Sequence, residues 1–208
     1  MPLRWRLARF ISLPLLHLDR PRPRSAMVWL TAKVWGNPGY SANMELLAEV
    51  DRHAAQARHV VDLGAGLSTL ILRRRRSDGS VTSLEHDREW VDALRRILPE
   101  RPGDELVFAP LSEISRGVEW YSADLDRLAS TDLIICDGPP GSTPGGRWGL
   151  MELVRRLRGP ATVIVDDTDR DDERALVDAL LTMPRASLLA LPQSSPRRVS
   201  VVYLRSGP

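Results

Sequence analysis

Residues 59–75 constrain the fold of this chain more than any other segment. His59-Val60-Val61-Asp62-Leu63 is a mostly apolar run that ends in Gly64-Ala65-Gly66, after which Leu67-Ser68-Thr69-Leu70-Ile71-Leu72 takes up helical spacing. The pattern predicts a buried strand, a tight turn and a helix, in that order. Glycines let the backbone approach a ligand closely, and the free N–H groups at the start of the helix face it. Such a unit is one half of a nucleotide-type cradle, so the chain is expected to be α/β.

The next apolar run fits that expectation. Val81-Thr82-Ser83-Leu84-Glu85 follows the turn residues Asp78-Gly79-Ser80 and ends in an acid about 20 residues beyond the glycines, a spacing at which a strand tip meets a bound ribose. A carboxylate there can accept both hydrogen bonds from a ribose diol, or it can simply be a solvated acid at a strand end. Asp87 is a candidate N-cap for the helix that follows. A dinucleotide fingerprint would need a third glycine where Thr69 stands.

Asp62-Leu63-Gly64-Ala65-Gly66, with its acid two positions before the first glycine, resembles the first motif of class I S-adenosylmethionine-dependent methyltransferases. The resemblance implies that Asp62, Gly64, Ala65, Gly66 and Ser68 hold S-adenosylmethionine, that Glu85 takes its ribose and that His86 flanks its adenine.

Size and composition set outer bounds. The chain has 208 residues, 43% hydrophobic and 27% charged, which suits one globular domain with a good core. A net charge of +2 gives no general case for nucleic acid as a partner. The positive charge is uneven: Arg4, Arg6, Arg9, Arg20, Arg22 and Arg24 crowd the first residues, against Asp19. Residues 1–25 therefore read as a basic N-terminal extension, and 26–208 as the methyltransferase-like domain. Trp5, Leu7, Phe10, Ile11 and Leu15 suit a short amphipathic helix, which is open to packing on the domain, closing over substrate, joining two copies in a homodimer or lying on a membrane surface. The single cysteine, Cys136, excludes an internal disulfide framework. No apolar stretch is long enough to span a membrane, and a cytoplasmic location is expected.

Strands are expected at 59–63, 81–85, 105–109, 132–137, 161–166, 187–191 and 199–204. Helices fit 67–75, 87–98, 146–157 and 171–182, and an earlier one fits 40–50 with Ser41 as its cap. This alternation predicts a Rossmann-like seven-stranded sheet, mostly parallel, with helices on both faces. Only the turn Pro192-Gln193-Ser194-Ser195-Pro196 separates the last two strands, so the final strand should run antiparallel.

The strand ends are rich in acids. Ile135-Cys136-Asp137-Gly138-Pro139-Pro140-Gly141 closes one strand, and Val165-Asp166-Asp167-Thr168-Asp169-Arg170 closes its expected neighbour. Asp137, Asp166 and Asp167 should converge at one rim. Converging carboxylates repel and raise one another's pKa unless a cation neutralises them. Two chemical uses remain open: a hard divalent ion such as Mg²⁺ held by the three acids, or direct base catalysis by Asp137. A structural use, in capping the helix near Asp171 and ordering the turn at Gly138, is the third possibility. Cation-dependent O-methyltransferases of the catechol and macrolide-sugar types resemble the chain here, since their acid and acid pair match Asp137, Asp166 and Asp167. Plant glucuronoxylan methyltransferases share a similar pattern at the first of these strand ends.

Together these features lead to one expectation: methyl transfer from S-adenosylmethionine to a small-molecule acceptor, most simply at a hydroxyl oxygen. The rivals are a polyamine-type aminopropyl transferase, a nicotinamide oxidoreductase and a non-catalytic partner subunit that keeps the cofactor pocket. Arg147, beyond the glycine-rich stretch 141–146, suits an anionic acceptor. Trp120 and Tyr121 belong either to the core or to a pocket wall.

Overall fold

The computed structural model describes residues 3–13, 21–36, 42–75, 78–190 and 199–206. Three helices come first: α1 (Leu3–Ile11), α2 (Pro21–Trp35) and α3 (Met44–Ala54). Strands and helices then alternate through β1 (His59–Leu63), α4 (Leu67–Arg75), β2 (Ser80–Glu85), α5 (Arg88–Arg95) and β3 (Glu105–Phe108). A hairpin of β4 (Leu111–Ser115) and β5 (Val118–Tyr121) intervenes before β6 (Leu133–Cys136), α6 (Leu150–Arg156), β7 (Ala161–Val165), α7 (Asp171–Leu181), β8 (Ala186–Ala190) and β9 (Ser200–Leu204).

The main sheet has seven strands in the order β3-β2-β1-β6-β7-β9-β8. β1 pairs in parallel with both β2 and β6, and β6 with β7, whereas β9 runs antiparallel to β7 and to β8. The expected architecture, a mostly parallel sheet with a reversed last strand, is therefore the one observed. Alternate residues of each strand serve opposite faces, as the pleat requires. Val60, Leu133, Ile135 and Ile164 pack with α2, α3 and α4 on one side, while Val61, Ile134, Cys136 and Val163 pack with α6 and α7 on the other.

Three local expectations change. The helix placed at 40–50 starts at Met44, because Asn43 caps it: the Asn43 Oδ1 accepts from the Leu46 N–H at 2.8 Å. Ser41 and the turn at 192–196 lie outside the described residues. The helix expected at 146–157 begins only at Leu150, since Gly145 and Gly146 both take positive φ and hold 141–149 as a series of turns. The hairpin β4–β5 was not foreseen; most of β4 is exposed, so it carries no alternation of apolar residues for a pattern to reveal. The cap expected at Asp87 is present, accepting from the Trp90 N–H at 3.1 Å.

α2 runs across residue 25, so the division placed there falls inside a helix. Ala8 of α1 and Val28 and Trp35 of α2 belong to the core cluster with α3 and α4. These helices pack on the domain, the first of the arrangements the sequence left open. Among the described residues no helix is long and apolar enough to cross a membrane.

Candidate active site

The strand order reverses direction between β1 and β6, and in open α/β sheets the crevice at such a reversal is where ligands bind. A cavity of about 530 Å³ lies there, within the ~300–1,000 Å³ common for small-molecule sites. Gly64, Ala65, Gly66, Ser68, Glu85, His86, Asp137 and Asp167 all line it, so the glycine turn, the second strand tip and the acids of β6 and β7 open into one space.

The glycine turn is built from below. Asp62 is fully buried and accepts from the hydroxyls of Ser68 at 3.0 Å, Thr69 at 2.5 Å and Ser83 at 3.3 Å. Burial pushes its carboxyl up to about 6, against the pull of those hydrogen bonds. Asp62 thus sits beneath the loop and does not line the cavity; it braces the turn that does. Thr69 replaces the third glycine with a hydroxyl that accepts the Gly66 N–H at 2.9 Å. From outside, the Trp90 indole donates to the Ala65 carbonyl at 2.8 Å, and Trp35 stands edge-on to Trp90 at 6.3 Å.

Two loops meet backbone to backbone on the cavity floor. Gly64 has φ +93°, and a Cβ there would lie 3.0 Å from the Gly138 nitrogen and 3.2 Å from the Asp137 carbonyl carbon. A Cβ on Gly138 would in turn collide with the Tyr121 hydroxyl. Gly64→Ala must therefore strain its own backbone and push the 137–138 loop, at a cost of about 1–3 kcal/mol. The expected result is a lower melting temperature, and a smaller rise when S-adenosylhomocysteine is added, both read by thermal unfolding.

Glu85 is nearly buried at the cavity edge. Its Oε1 accepts the N–H groups of His86 at 2.7 Å and Asp87 at 2.9 Å, and the His86 Nδ1 lies 2.8 Å from the same oxygen. The Glu85 contact raises the His86 imidazole above its ordinary pKa, against its partial burial. Oε2 has no partner among the described residues, which leaves it for a diol. Across the cavity Tyr121 is almost fully buried, and its hydroxyl has no hydrogen-bond partner. An unmatched buried hydroxyl facing a cavity is a group waiting for a ligand. The choice left open for the aromatic pair resolves as one of each: Trp120 is core, packed against Gly149, and Tyr121 is wall.

The three acids converge as expected. Asp137, Asp166 and Asp167 each offer an oxygen within 4.8 Å of the others. Asp167 reaches inward from a left-handed backbone, φ 57°, a conformation that aspartate tolerates better than most residues. Asp166 lies below the cavity wall, and its Oδ1 accepts from Asn43 Nδ2 at 2.6 Å. Burial, and then the facing Asp166 carboxylate, push Asp137 well above the carboxylate range; burial and Asp167 raise Asp166. Each of the two carboxylates thus opposes ionisation of the cluster they share. Neither Asp166 nor Asp167 caps α7, whose first residue follows Arg170 with no side-chain cap.

Arg147 corrects an expectation. It is 3% exposed and borders the cavity, but its guanidinium is already engaged. Its guanidinium enters the acid cluster instead. Nη1 donates to the carbonyls of Asp166 at 2.7 Å and Cys136 at 3.3 Å, and Nη2 donates to the Asp137 carbonyl at 2.9 Å and to Asp167 Oδ2 at 3.0 Å. The Asp137 carboxylate is 3.6 Å away and Glu173 3.8 Å. Half-exposed Arg170 also pairs with Asp167 Oδ2, at 3.0 Å, and lines the cavity. A divalent ion would need these oxygens ionised, and would share Asp167 with the buried Arg147 guanidinium, whose positive charge stands against it. The residues as arranged do not fit one. The cation that lets the acids converge is Arg147.

No family model matches the chain, and no curated protein sequence matches it. Solved structures do. An O-methyltransferase from Bacillus cereus in complex with S-adenosylhomocysteine has a TM-score of 0.58 at 17% identity, covering 96% of this chain and 97% of that one. A methyltransferase from Geobacter sulfurreducens gives 0.56 at 19% identity, over 91% and 93% of the two chains. A candidate RNA methyltransferase from Pyrococcus horikoshii gives 0.60 at 15% identity, over 91% and 98%. The fold is that of the class I methyltransferases.

Proposed function

We propose that the chain transfers the methyl group of S-adenosylmethionine to a hydroxyl oxygen of a small-molecule acceptor, without a divalent metal. The observation that carries this reading is the sharing of one cavity by the glycine turn, Glu85 and Asp137. The unpaired Tyr121 hydroxyl on the cavity wall supplies the fit to a ligand.

When bound, S-adenosylmethionine supplies a methyl carbon made electrophilic by its sulfonium. The chain's own residues do the rest. Glu85 Oε2 takes the ribose diol, and the 64–66 turn fixes the amino-acid end. The cavity walls would have to position the acceptor oxygen, and positioning is the main source of acceleration in a displacement of this kind. Asp137, once ionised, would be the group on this chain to take a proton from an acceptor hydroxyl in the cavity. Arg147 keeps Asp137 in place and limits how high its pKa climbs.

Calorimetric titration with S-adenosylhomocysteine tests the cofactor half: saturable binding is expected, and its absence sinks the reading. For an acceptor found by mass-spectrometric screening, the rate should rise with pH through the ionisation of the Asp137–Asp166 pair, at a pH above the usual carboxylate range. The same rate should be unchanged by EDTA; loss in chelator and recovery with Mg²⁺ would restore the metal. Propylamine transfer to putrescine from the decarboxylated cofactor would replace methylation with the polyamine chemistry.

A further inference from the structure

At the far end of α4 from the candidate active site lies a second cavity, of about 770 Å³, lined by Arg6, Arg9, Phe10, Arg74, Arg95 and Arg96 among others. Leu67 at the start of α4 faces the first cavity and Arg74 near its end faces the second, so the two are about 10 Å apart along the helix. Arginines at helix C-termini are ordinary, because they offset the helix dipole. Their partners here are equally ordinary: Arg75 pairs with Asp51 at 2.8 Å, Arg95 with Asp92 at 3.1 Å, and Arg73 donates to the Pro99 carbonyl at 3.1 Å.

Arg74 has no such account. It is 9% exposed, its buried Nε has no hydrogen-bond partner, and no ion pair reaches it among the described residues. Burial and the nearby charges of Arg9 and Arg101 all disfavour its cation. The acid on the cavity wall, Glu100, is itself exposed. A buried guanidinium among other guanidiniums calls for an anion.

The surface next to this cavity narrows the choice of anion. On α1, Leu3, Leu7 and Phe10 stand at i, i+4 and i+7 and are 77%, 48% and 69% exposed, while Ala8 faces the core. The helix carries no acid; Arg4, Arg6 and Arg9 flank the apolar stripe. Trp29 and Leu30 of α2 are exposed too, and Lys33 lies over the Trp29 ring at 5.7 Å. An apolar helix face edged with arginine, on a helix packed against the one that carries the exposed tryptophan, suits the boundary between headgroups and acyl chains. A nucleic-acid strand would match the arginines and gain nothing from Leu3 and Leu7.

We infer that this end of the molecule docks on an anionic phospholipid surface, with the α1 face in the headgroup layer and a headgroup phosphate in the arginine cavity. The test is flotation of the full chain with vesicles of phosphatidylcholine alone or mixed with phosphatidylglycerol. The chain should float with the mixed vesicles only. Leu7→Ser/Phe10→Ser should abolish flotation, and Arg9→Gln/Arg96→Gln should weaken it about fivefold per arginine. All four positions are exposed, and an unchanged melting temperature verifies that each variant folds. Equal flotation with both vesicle types overturns the proposal, as does flotation that the apolar pair does not alter. Inorganic phosphate that stabilises the parent but not Arg74→Gln, in a chain that ignores vesicles, assigns the cavity to a free phosphate instead. Arginine-dependent binding of a single-stranded RNA without flotation would make it a nucleic-acid surface.

Discussion

Glu85→Ala should bind S-adenosylhomocysteine roughly ten- to a hundredfold more weakly than the parent chain, measured by calorimetry. The estimate rests on losing a charge-assisted contact of about 1.5–3 kcal/mol to a ribose diol. A second loss adds to it: Oε1 accepts the N–H groups of His86 and Asp87, which would be left pointing at nothing. Glu85→Gln separates the two, because the amide oxygen can still cap those N–H groups while the charge is gone. It should fold as well as the parent and recover part of the affinity. Unchanged affinity in Glu85→Ala would remove the ribose from this strand tip and the adenosyl reading with it.

The larger structural effect belongs to Arg147. Arg147→Ala should cost about 3–5 kcal/mol of unfolding free energy in a denaturant titration, as expected when a buried charge cluster loses its counterion. It leaves Asp137, Asp167 and Glu173 without that cation, and the carbonyls of Cys136, Asp137 and Asp166 without its donors. Arg147→Lys keeps the charge but loses the fork that spans both strand ends, so it should fall between the two. The pH dependence has a definite sign. Asp137 and Asp166 have raised pKa values in the folded chain, so the pair favours folding at low pH; that contribution fades as pH rises past the unfolded carboxylate value and through the folded ones. Without Arg147 both acids climb further. The destabilisation of Arg147→Ala should therefore grow with pH, and the rising limb of any residual activity should move to higher pH.

The parts of the site that were legible in the sequence are those encoded within a few residues. The runs Val60-Val61, Leu133-Ile134-Ile135 and Val163-Ile164-Val165 declare buried strands, and whatever follows such a run sits at the rim. That is why Gly64, Glu85, Asp137 and Asp167 emerged from reading alone, together with the sheet that carries them. Depth and direction did not emerge. Asp62 and Glu85 share a face of the sheet, Asp62 in register with Ser83 and Glu85 two residues further on, so what separates them is distance from the rim, which register between strands fixes and residue type does not. Arg147 lies in a glycine-rich stretch that looks mobile; only the folded acids reveal that it points inward. Tyr121 belongs to a hairpin whose first strand is exposed, and Trp35 and Asn43 reach the site from helices far off in the chain, contacts that no local spacing records.

The contact between Gly64 and Gly138 ties together two duties that the chain encodes about seventy residues apart. In the function proposed above one loop would serve the cofactor and the other would present the base, and a side chain at either bend would meet the other backbone. Natural variation at this junction should consequently come in pairs, and a designer seeking a new acceptor has more freedom in the 141–149 turns than at either bend.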